Sequence, residues 1–205
     1  MDPTELHPSM VRIARKISPA LAAAMHSVGP PEWPRRDDQS LARYLARIVV
    51  GQQLSTRAAA TIWQRVETLA QQLATDIPAL ALTSDLEALR ACGLSGNKLL
   101  CLQGLAVAEA DGQLEHEPLA RLAPEARAKQ LTALRGVGPW SADMLALFYF
   151  RDPDIWPLGD LAVRKTFEHY LKDQPGADLT AAAFAPRRSL LALYMWRIAN
   201  NLTLT

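Results

Sequence analysis

The sequence contains few residues of the kinds that build disulfide scaffolds and metal centres. It has two cysteines in 205 residues, Cys92 and Cys101, too few for the four thiolates of a typical iron–sulfur cluster. Its four histidines are scattered and lack the spacing of a zinc site; they are His7, His26, His116 and His169. Two thiols in a chain of this length are typical of a reducing compartment.

The sequence also has little net charge and no long apolar run. Its 22 basic and 21 acidic residues leave a net charge of +1, whereas a nucleic-acid-binding domain is usually strongly basic. No stretch reaches the ~18–20 apolar residues that span a bilayer, and the first residues do not resemble a signal peptide. We therefore expect a cytoplasmic protein with no membrane partner, associated with the nucleoid if the source is bacterial. Any nucleic-acid binding must depend on local geometry.

The residues that are abundant predict an all-α protein. Hydrophobic residues make up 49% of the chain, enough to bury a sizeable core, and alanine and leucine dominate over β-branched residues. Their periodicity predicts helices over about 9–26, 40–50, 56–73, 84–91, 95–110, 118–122, 124–134, 141–150, 161–171 and from 186 onward. Ser55, Ser95 and Asp160 are the expected N-caps of three of them, and Asp38 is a candidate cap of the helix that begins near residue 40.

One stretch between two predicted helices is suited to binding an anion. Residues 135–143 read R-G-V-G-P-W-S-A-D. Gly136 and Gly138 can adopt positive φ and allow close backbone approach, and Pro139 suits the first turn of a helix. Backbone N–H groups at a helix start bind anions such as a DNA phosphate. A plain helix–helix turn with a glycine cap is the alternative explanation of the two glycines, which by themselves are a weak signal.

Linked motifs around this turn resemble the helix-hairpin-helix DNA glycosylases, most closely the 3-methyladenine DNA glycosylase II branch. The turn resembles the family hairpin, and W-P-L-G-D-L-A-V-R-K at 156–165 resembles the segment that carries the family's catalytic aspartate. Similar blocks are I-V-V-G-Q-Q-L-S-T-R-A-A at 48–59, G-L-S-G-N-K at 93–98 and P-R-R-S-L-L-A-L-Y-M-W-R at 186–197. The resemblance covers roughly residues 38–200, with the blocks in the family's order.

The resemblance implies a two-lobed helical bundle with a helix-hairpin-helix motif and an active-site cleft between the lobes. We expect residues 1–37 to form an N-terminal helix and Pro-rich connection that pack on the core. Residues 38–205 then form the glycosylase domain, a single compact unit of two helical lobes.

Asp160 is the catalytic residue that the resemblance implies. Breaking an N-glycosidic bond builds positive charge on the sugar, which a nearby carboxylate stabilises while water attacks. The alternative is that Asp160 serves only as a helix cap, and the two roles are compatible.

Trp140 occupies the position where backbone-cleaving relatives carry a lysine. Because tryptophan cannot form a Schiff base, we expect a monofunctional enzyme that leaves an abasic site.

The base pocket is predicted to be partly aromatic. An aromatic face attracts a cationic alkylated base by stacking and cation–π interaction. Trp140 is one candidate, and the resemblance places Trp196 as a second; Leu161 and Tyr149 complete the predicted pocket. Both tryptophans could instead be core residues, since large aromatics are common in cores.

The remaining predicted contacts involve DNA and a cation. Gln52, Gln53 and Leu54 lie at a polar elbow between two helices and are expected to enter the minor groove and fill the gap left by a flipped base; solvated loop residues are the alternative. Phosphate is expected at the hairpin backbone, at Gly136, Val137, Gly138, Trp140 and Ser141. The resemblance implies a structural Na⁺ or K⁺ at the carbonyls of Thr132, Leu134 and Val137.

The sequence thus predicts a monofunctional DNA glycosylase that excises alkylated bases such as 3-methyladenine and 7-methylguanine in base excision repair. Its partner is double-stranded DNA containing alkylated bases, and we expect a monomer that requires no cofactor. Two other functions remain open: a glycosylase for oxidised or deaminated bases, and a non-catalytic helix-hairpin-helix DNA-binding module.

Overall fold

The computed structural model describes residues 2–33, 39–83, 86–171 and 180–202. Over these ranges the chain forms α-helices and one 3₁₀ turn, without a strand, which confirms the predicted all-α class. No helix in the same ranges is long and apolar enough to cross a membrane. The helices, in chain order, are α1 (Pro3–Ile17), α2 (Pro19–Val28), α3 (Leu41–Gly51), α4 (Thr56–Gln72), α5 (Ile77–Thr83), α6 (Leu86–Ala91), α7 (Gly96–Ala110), α8 (His116–Ala120), α9 (Pro124–Thr132), α10 (Pro139–Phe148), α11 (Leu161–His169) and α12 (Arg188–Leu202).

The chain divides into two compact units. The first unit combines Met1–Arg35 with Ala146–Thr205, and the second is Arg36–Leu145, so the boundary falls within α10. The N-terminal helices therefore belong to the same unit as the last helices of the chain. The predicted division at residue 37 lies outside the described ranges, as does Asp38, a candidate cap of α3. Ser40 caps that helix instead, because its Oγ accepts the Arg43 N–H at 3.1 Å.

The first unit is built around one apolar cluster. Its members come from α1, α2, the end of α10, α11, the 3₁₀ turn Ala182–Phe184 and α12, and the largest are fully or almost fully buried: Met10, Leu21, Met25, Phe167, Phe184 and Tyr194. The prediction of a single helix over 9–26 is wrong. Ser18 ends α1 and caps α2 through a 3.3 Å bond to the Leu21 N–H, and Pro19 follows as the first helical residue, where its missing N–H costs nothing.

In the second unit, α3 packs against α4, α5 and α7. Their buried faces supply large apolar side chains, among them Leu45, Val49, Trp63, Val66, Leu80, Leu102 and Leu105. Helix α5 was not predicted from its short apolar run. The stretch Asp76-Ile77-Pro78 is nevertheless a helix-start signal, because an aspartate precedes a proline in the first turn.

Three predicted N-caps are confirmed. Ser55 Oγ accepts the Ala58 N–H at 3.3 Å, and Ser95 Oγ accepts the Lys98 N–H at 3.4 Å. Asp160 Oδ1 accepts the Val163 N–H at 3.0 Å. Each satisfies a donor that the helix itself leaves unpaired, so the starts of α4, α7 and α11 are set by local sequence.

Candidate functional site

The turn before α10, hereafter the hairpin (Gly136–Ser141), requires glycine at its first position. Gly136 has φ +78°, and a Cβ added there would lie 2.8 Å from Cys101 Sγ and 2.9 Å from Cys101 Cβ. Left-handed backbone and this close approach both exclude a side chain. The Val137 N–H donates to the Leu134 carbonyl at 3.1 Å and closes the turn. The hairpin is thus packed directly onto α7.

Gly138 behaves differently and does not use the positive φ that glycine allows. Within this turn only Gly136 lies in the left-handed region. A Cβ added at Gly138 would meet no heavy atom within 4 Å. Its carbonyl accepts the Ala142 N–H at 3.1 Å, which makes Gly138 the residue that opens α10. The space beside Gly138 therefore allows a ligand to approach the backbone.

Two of the predicted phosphate contacts are engaged within the protein. The Val137 N–H is bonded to the Leu134 carbonyl. The Ser141 side chain is buried, at 1% exposure, and its Oγ accepts a hydrogen bond from Gln52. The Val137 amide is therefore not a spare donor, and its predicted phosphate role is corrected. The Ser141 hydroxyl is occupied by Gln52, while the predicted phosphate contact at the Ser141 backbone stays a prediction. The backbone at Gly136, Gly138 and Trp140 also remains a predicted phosphate contact.

Gln52 turns toward the hairpin rather than outward. Its Nε2 donates to the Gly136 carbonyl at 3.0 Å and to Ser141 Oγ at 2.8 Å. The prediction placed Gln52 in the DNA minor groove, and this geometry contradicts it: the buried Ser141 hydroxyl needs a hydrogen-bond partner, and the Gln52 amide supplies it. Gln52 and Ser141, two separately predicted DNA contacts, are partners of each other.

The tip of the elbow (Gln52–Ser55) presents its next two residues to solvent. Gln53 is exposed with φ +57°, and Leu54 is 38% exposed. A non-glycine residue in the left-handed region costs free energy, and such strain occurs most often at functional sites. An apolar side chain exposed beside it is the kind of group that enters a base stack. The DNA role of Gln53 and Leu54 stays a prediction, and their exposure is compatible with it.

Lys98 holds the backbone on which the elbow begins. Its Nζ donates to the Val50 carbonyl at 2.7 Å and to the Gln52 carbonyl at 3.0 Å. Both carbonyls lie at the C-terminal end of α3, where carbonyl oxygens lack donors within the helix. A positive charge stabilises a helix at this end. Burial lowers the pKa of Lys98 from its usual value. Nothing local in the sequence indicates this contact, because 48 and 46 residues separate the partners.

In the first unit, Asp160 is held by two elements. Its Oδ1 accepts the Val163 N–H at 3.0 Å and the Trp196 Nε1–H at 3.1 Å. The Trp196 ring is half-buried and stacks on Phe148, with ring centroids 5.4 Å apart. Trp196 thus orients the Asp160 carboxylate, a role that the sequence did not indicate. Its stacking on a flipped base stays a prediction.

The loop that leads to Asp160 is bonded to the start of α12. Arg188 forms a bidentate pair with Asp154, at 2.9 and 2.8 Å, and this pair lowers the pKa of that carboxyl. Ser189 is fully buried; its Oγ donates to the Asp152 carbonyl at 2.6 Å and accepts the Ile155 N–H at 2.8 Å. With the Trp196 bond, α12 therefore fixes both ends of the segment 152–160.

The other predicted pocket residues differ in accessibility. Leu161 is 53% exposed at the start of α11, directly after Asp160, and Trp140 is half-buried at the second position of α10. Tyr149 is only 4% exposed, and its ring packs edge-on against Phe150 at 5.3 Å. Tyr149 therefore offers no accessible face to a base, and its pocket assignment is corrected to a core role.

Asp143, in α10, is a perturbed carboxyl that sequence reasoning did not single out. Burial raises its pKa to about 6. It lies three residues after Trp140, so the two positions share a face of the helix. The signal available in the sequence was an aspartate within an otherwise apolar helical segment, S-A-D-M-L-A-L.

The described residues contain no group of three or more His, Cys, Asp and Glu side chains that could hold a metal ion. A monovalent cation would instead use backbone oxygens. Thr132 ends α9, where the last carbonyls have no donor within the helix. Leu134 accepts the Val137 N–H at 3.1 Å and keeps a second lone pair. The Na⁺ or K⁺ at the carbonyls of Thr132, Leu134 and Val137 stays a prediction.

Similarity to known proteins agrees with these motifs. No protein-family model matches the chain. The DNA-3-methyladenine glycosylase 1 of Schizosaccharomyces pombe is 31% identical over 163 residues, which cover 76% of this chain and 71% of that protein. The chain belongs to the DNA-3-methyladenine glycosylase family. A further family member, from Saccharomyces cerevisiae, is 25% identical, with 78% of this chain and 67% of that protein covered.

Solved structures of the family have the same fold. The S. pombe 3-methyladenine DNA glycosylase, in complex with abasic DNA, matches with a TM-score of 0.74 and 28% identity over 85% of this chain and 88% of that one. A DNA-3-methyladenine glycosidase from Bacillus halodurans matches with a TM-score of 0.76 and 25% identity over 96% and 91% of the chains. These matches confirm the resemblance to the helix-hairpin-helix glycosylases that the motifs indicated.

Proposed function

We propose that this chain excises alkylated bases, such as 3-methyladenine and 7-methylguanine, from double-stranded DNA by hydrolysing the N-glycosidic bond. The observation that carries the proposal is the placement of Asp160. In a member of the DNA-3-methyladenine glycosylase family, the carboxylate at the motif position is held by a helix N-terminus and by the Trp196 indole. A residue that only capped α11 would not need a second donor from α12.

In this mechanism Asp160 acts on the sugar. As the bond between the sugar and the base breaks, the electron pair leaves with the base and positive charge develops on the sugar ring. The carboxylate stabilises that charge and assists attack by water on the sugar carbon. A base that is cationic through alkylation departs as a neutral molecule, so the pocket need not protonate it. The products are a free base and an abasic site.

The residues of the site favour hydrolysis without strand cleavage. A lyase uses an amine to attack the sugar and form a Schiff base. Trp140 occupies the position where the motif of backbone-cleaving relatives has lysine. Lys98 is bonded to two backbone carbonyls and does not match the nucleophile position. Lys165 is exposed on α11 and does not match the nucleophile position.

DNA is the partner of this family, and the S. pombe relative was solved in complex with abasic DNA. In this chain we assign phosphate binding to the hairpin backbone around Gly138, where no side chain obstructs approach. We assign filling of the gap left by the flipped base to Gln53 and Leu54. A Na⁺ or K⁺ at the carbonyls of Thr132, Leu134 and Val137 would stabilise the hairpin. The chain is proposed to act as a monomer and without a cofactor.

Base release from methylated duplex DNA tests the proposal. The wild-type protein should release free methylated base and leave strands intact until alkali is added. Asp160→Asn should fold normally, because asparagine is an equally good N-cap, and should lose at least about 100-fold in release rate. A duplex containing an oxidised guanine is the substrate control. No release of methylated base by the wild type, or an undiminished rate in the variant, would overturn the proposal; strand cleavage without alkali would overturn its monofunctional part.

A further inference from the structure

We propose that Gln52 is a positioning residue that holds the hairpin and the elbow in a fixed register for DNA. The elbow carries Gln53 and Leu54, and the hairpin carries Gly138. Both lie in the second unit, and one side chain joins them. The inference rests on the proposed function only in so far as these two segments contact DNA.

The geometry of Gln52 is that of a bridge. A carboxamide nitrogen has two hydrogens, and both have an acceptor: the Gly136 carbonyl at 3.0 Å and Ser141 Oγ at 2.8 Å. These acceptors lie at the two ends of the hairpin, on either side of Gly138. A single side chain from the elbow therefore fixes the beginning and the end of the turn at once.

The Ser141 end of the bridge is protected from water, whereas the Gly136 end is exposed. Ser141 is 1% exposed, so water cannot replace the Gln52 amide as the hydrogen-bond donor to its hydroxyl unless the structure opens locally. Loss of the donor would leave a buried acceptor unsatisfied, which costs more than the bond itself contributes. An apolar side chain at position 52 could fill the space but could not satisfy either acceptor.

The backbone of Gln52 is held by α7. Lys98, in the first turn of that helix, donates to the Gln52 carbonyl at 3.0 Å and to the Val50 carbonyl at 2.7 Å. One turn later Cys101 packs on Gly136, where an added Cβ would come within 2.9 Å of its Cβ. Helix α7 thus supports the elbow through Lys98 and the hairpin through Cys101, and Gln52 links the two supported segments.

The neighbouring Gln53 provides a matched control. It has the same side chain, is exposed, and sits at φ +57° at the tip of the elbow. In the proposed function Gln53 contacts DNA directly, whereas Gln52 acts through the hairpin. The two glutamines should therefore respond differently to the same truncation.

The first experiment compares Gln52→Ala with Gln53→Ala. Gln52→Ala should bind both undamaged and abasic duplex about tenfold more weakly, while its rate of base release at saturating DNA stays within about twofold of wild type. Gln53→Ala should instead lower the saturated rate. Hydrogen exchange of free protein should become faster over residues 135–142 in Gln52→Ala and remain unchanged in Gln53→Ala. Wild-type affinity together with wild-type exchange in Gln52→Ala would overturn the inference.

A double-mutant cycle separates positioning from general destabilisation. In this cycle, the losses of DNA affinity in Gln52→Ala and Ser141→Ala should not add, because both variants remove the Gln52–Ser141 hydrogen bond. If Gln52→Ala fails to fold, Lys98→Met takes its place. It removes the support of the Gln52 carbonyl and should weaken DNA binding about threefold to tenfold. Additive losses in the cycle, or unchanged binding by a folded Lys98→Met, contradict the inference.

The readouts distinguish this inference from the proposed function. DNA affinity and hydrogen exchange need no excision, so a wild-type protein that binds DNA but releases no methylated base would overturn the function and leave the bridge testable. Conversely, a wild type that excises methylated bases, paired with a Gln52→Ala variant of normal affinity and exchange, would overturn the bridge alone.

Discussion

The indole Nε1–H of Trp196 donates to Asp160 Oδ1 at 3.1 Å, across 36 residues of sequence. The same oxygen accepts the Val163 N–H at 3.0 Å. Two elements therefore determine how the carboxylate is turned: α11 through its N-terminus and α12 through its tryptophan. Because α12 also holds Asp152 and Asp154 through Ser189 and Arg188, the whole segment leading to Asp160 depends on one helix.

Trp196→Phe tests whether this indole bond serves catalysis. Phenylalanine keeps an aromatic ring beside Phe148 and removes only the N–H donor, so Asp160 loses one constraint. A hydrogen bond to a charged group contributes about 1.5–3 kcal/mol, and we expect the rate of methylated-base release at saturating DNA to fall at least about tenfold. Affinity for DNA should stay within twofold. Phe148→Leu, which removes the stacking partner and keeps the indole, is the control. If Trp196→Phe released methylated base at the wild-type rate, the hydrogen bond between the indole and Asp160 would not contribute to catalysis.

The parts of this molecule that were predictable from sequence depend on neighbours along the chain. The caps at Ser55, Ser95 and Asp160 are examples, since a cap and its N–H donor lie three residues apart. The break between α1 and α2 could have been predicted in the same way, because serine followed by proline is a local helix-start signal. The apolar period continues through Ser18-Pro19 and led to the prediction of one helix. The α5 start at Asp76-Ile77-Pro78 is a similar case.

The long-range hydrogen bonds of Gln52 and of Trp196 could not be predicted in this way. Gln52 meets Gly136 and Ser141 across 84 and 89 residues, and a glutamine at a polar elbow gives no sign of which way its amide turns. The family resemblance predicted that Trp196 stacks on the base, and it did not indicate that the indole N–H donates to Asp160. Tyr149 shared a helical face with apolar residues, and that face proved to be core.

Gly136 and Gly138 should respond differently to alanine, although they stand two residues apart. Gly136→Ala places a side chain at φ +78° and within 3 Å of Cys101, and we expect it to destabilise the fold by about 2–4 kcal/mol. Gly138→Ala meets nothing within 4 Å and should change the free energy of unfolding by less than about 0.5 kcal/mol. Urea denaturation of both variants measures the difference.

Gly138→Ala tests DNA binding separately from folding, because this variant is expected to fold normally. Gly138→Ala should weaken binding to a duplex about fivefold or more if a phosphate approaches that backbone, because a methyl group would replace the contact. Fluorescence anisotropy with undamaged DNA measures it, with wild type as the reference. A folded Gly138→Ala protein with unchanged affinity would place the phosphate elsewhere.

Asp143 should lower stability at neutral pH. Its folded-state pKa is raised by burial to about 6, whereas the unfolded chain has the ordinary value of about 3.9. The folded state therefore binds more protons between these values, and stability falls as pH rises from about 4 through about 6. Discounted for partial exposure, the cost above pH 6 is about 1–2 kcal/mol. Asp143→Asn should melt about 2–8 °C higher than wild type at pH 8 and equally at pH 4; a gain of the same size at both values would point to packing instead.

The His7–His26 pair should make the first unit sensitive to acid. His7 Nδ1 and Tyr194 Oη are joined by a 2.6 Å hydrogen bond, and the His7 and His26 rings stack with centroids 6.1 Å apart. Burial, followed by the charge of His26, lowers the pKa of His7 below 6.5. The unfolded chain therefore takes up the proton first, so stability is full above about pH 6.5 and is lost as pH falls through the lower folded-state value. Because His7 is only half-buried, we expect a decrease in Tm of about 1–3 °C between pH 7 and pH 5 from this group.

His7→Gln, which cannot titrate, should show a correspondingly smaller decrease in Tm over that pH range, and thermal melts of both proteins at the two pH values measure it. An identical pH dependence in wild type and His7→Gln would assign the acid sensitivity to other groups.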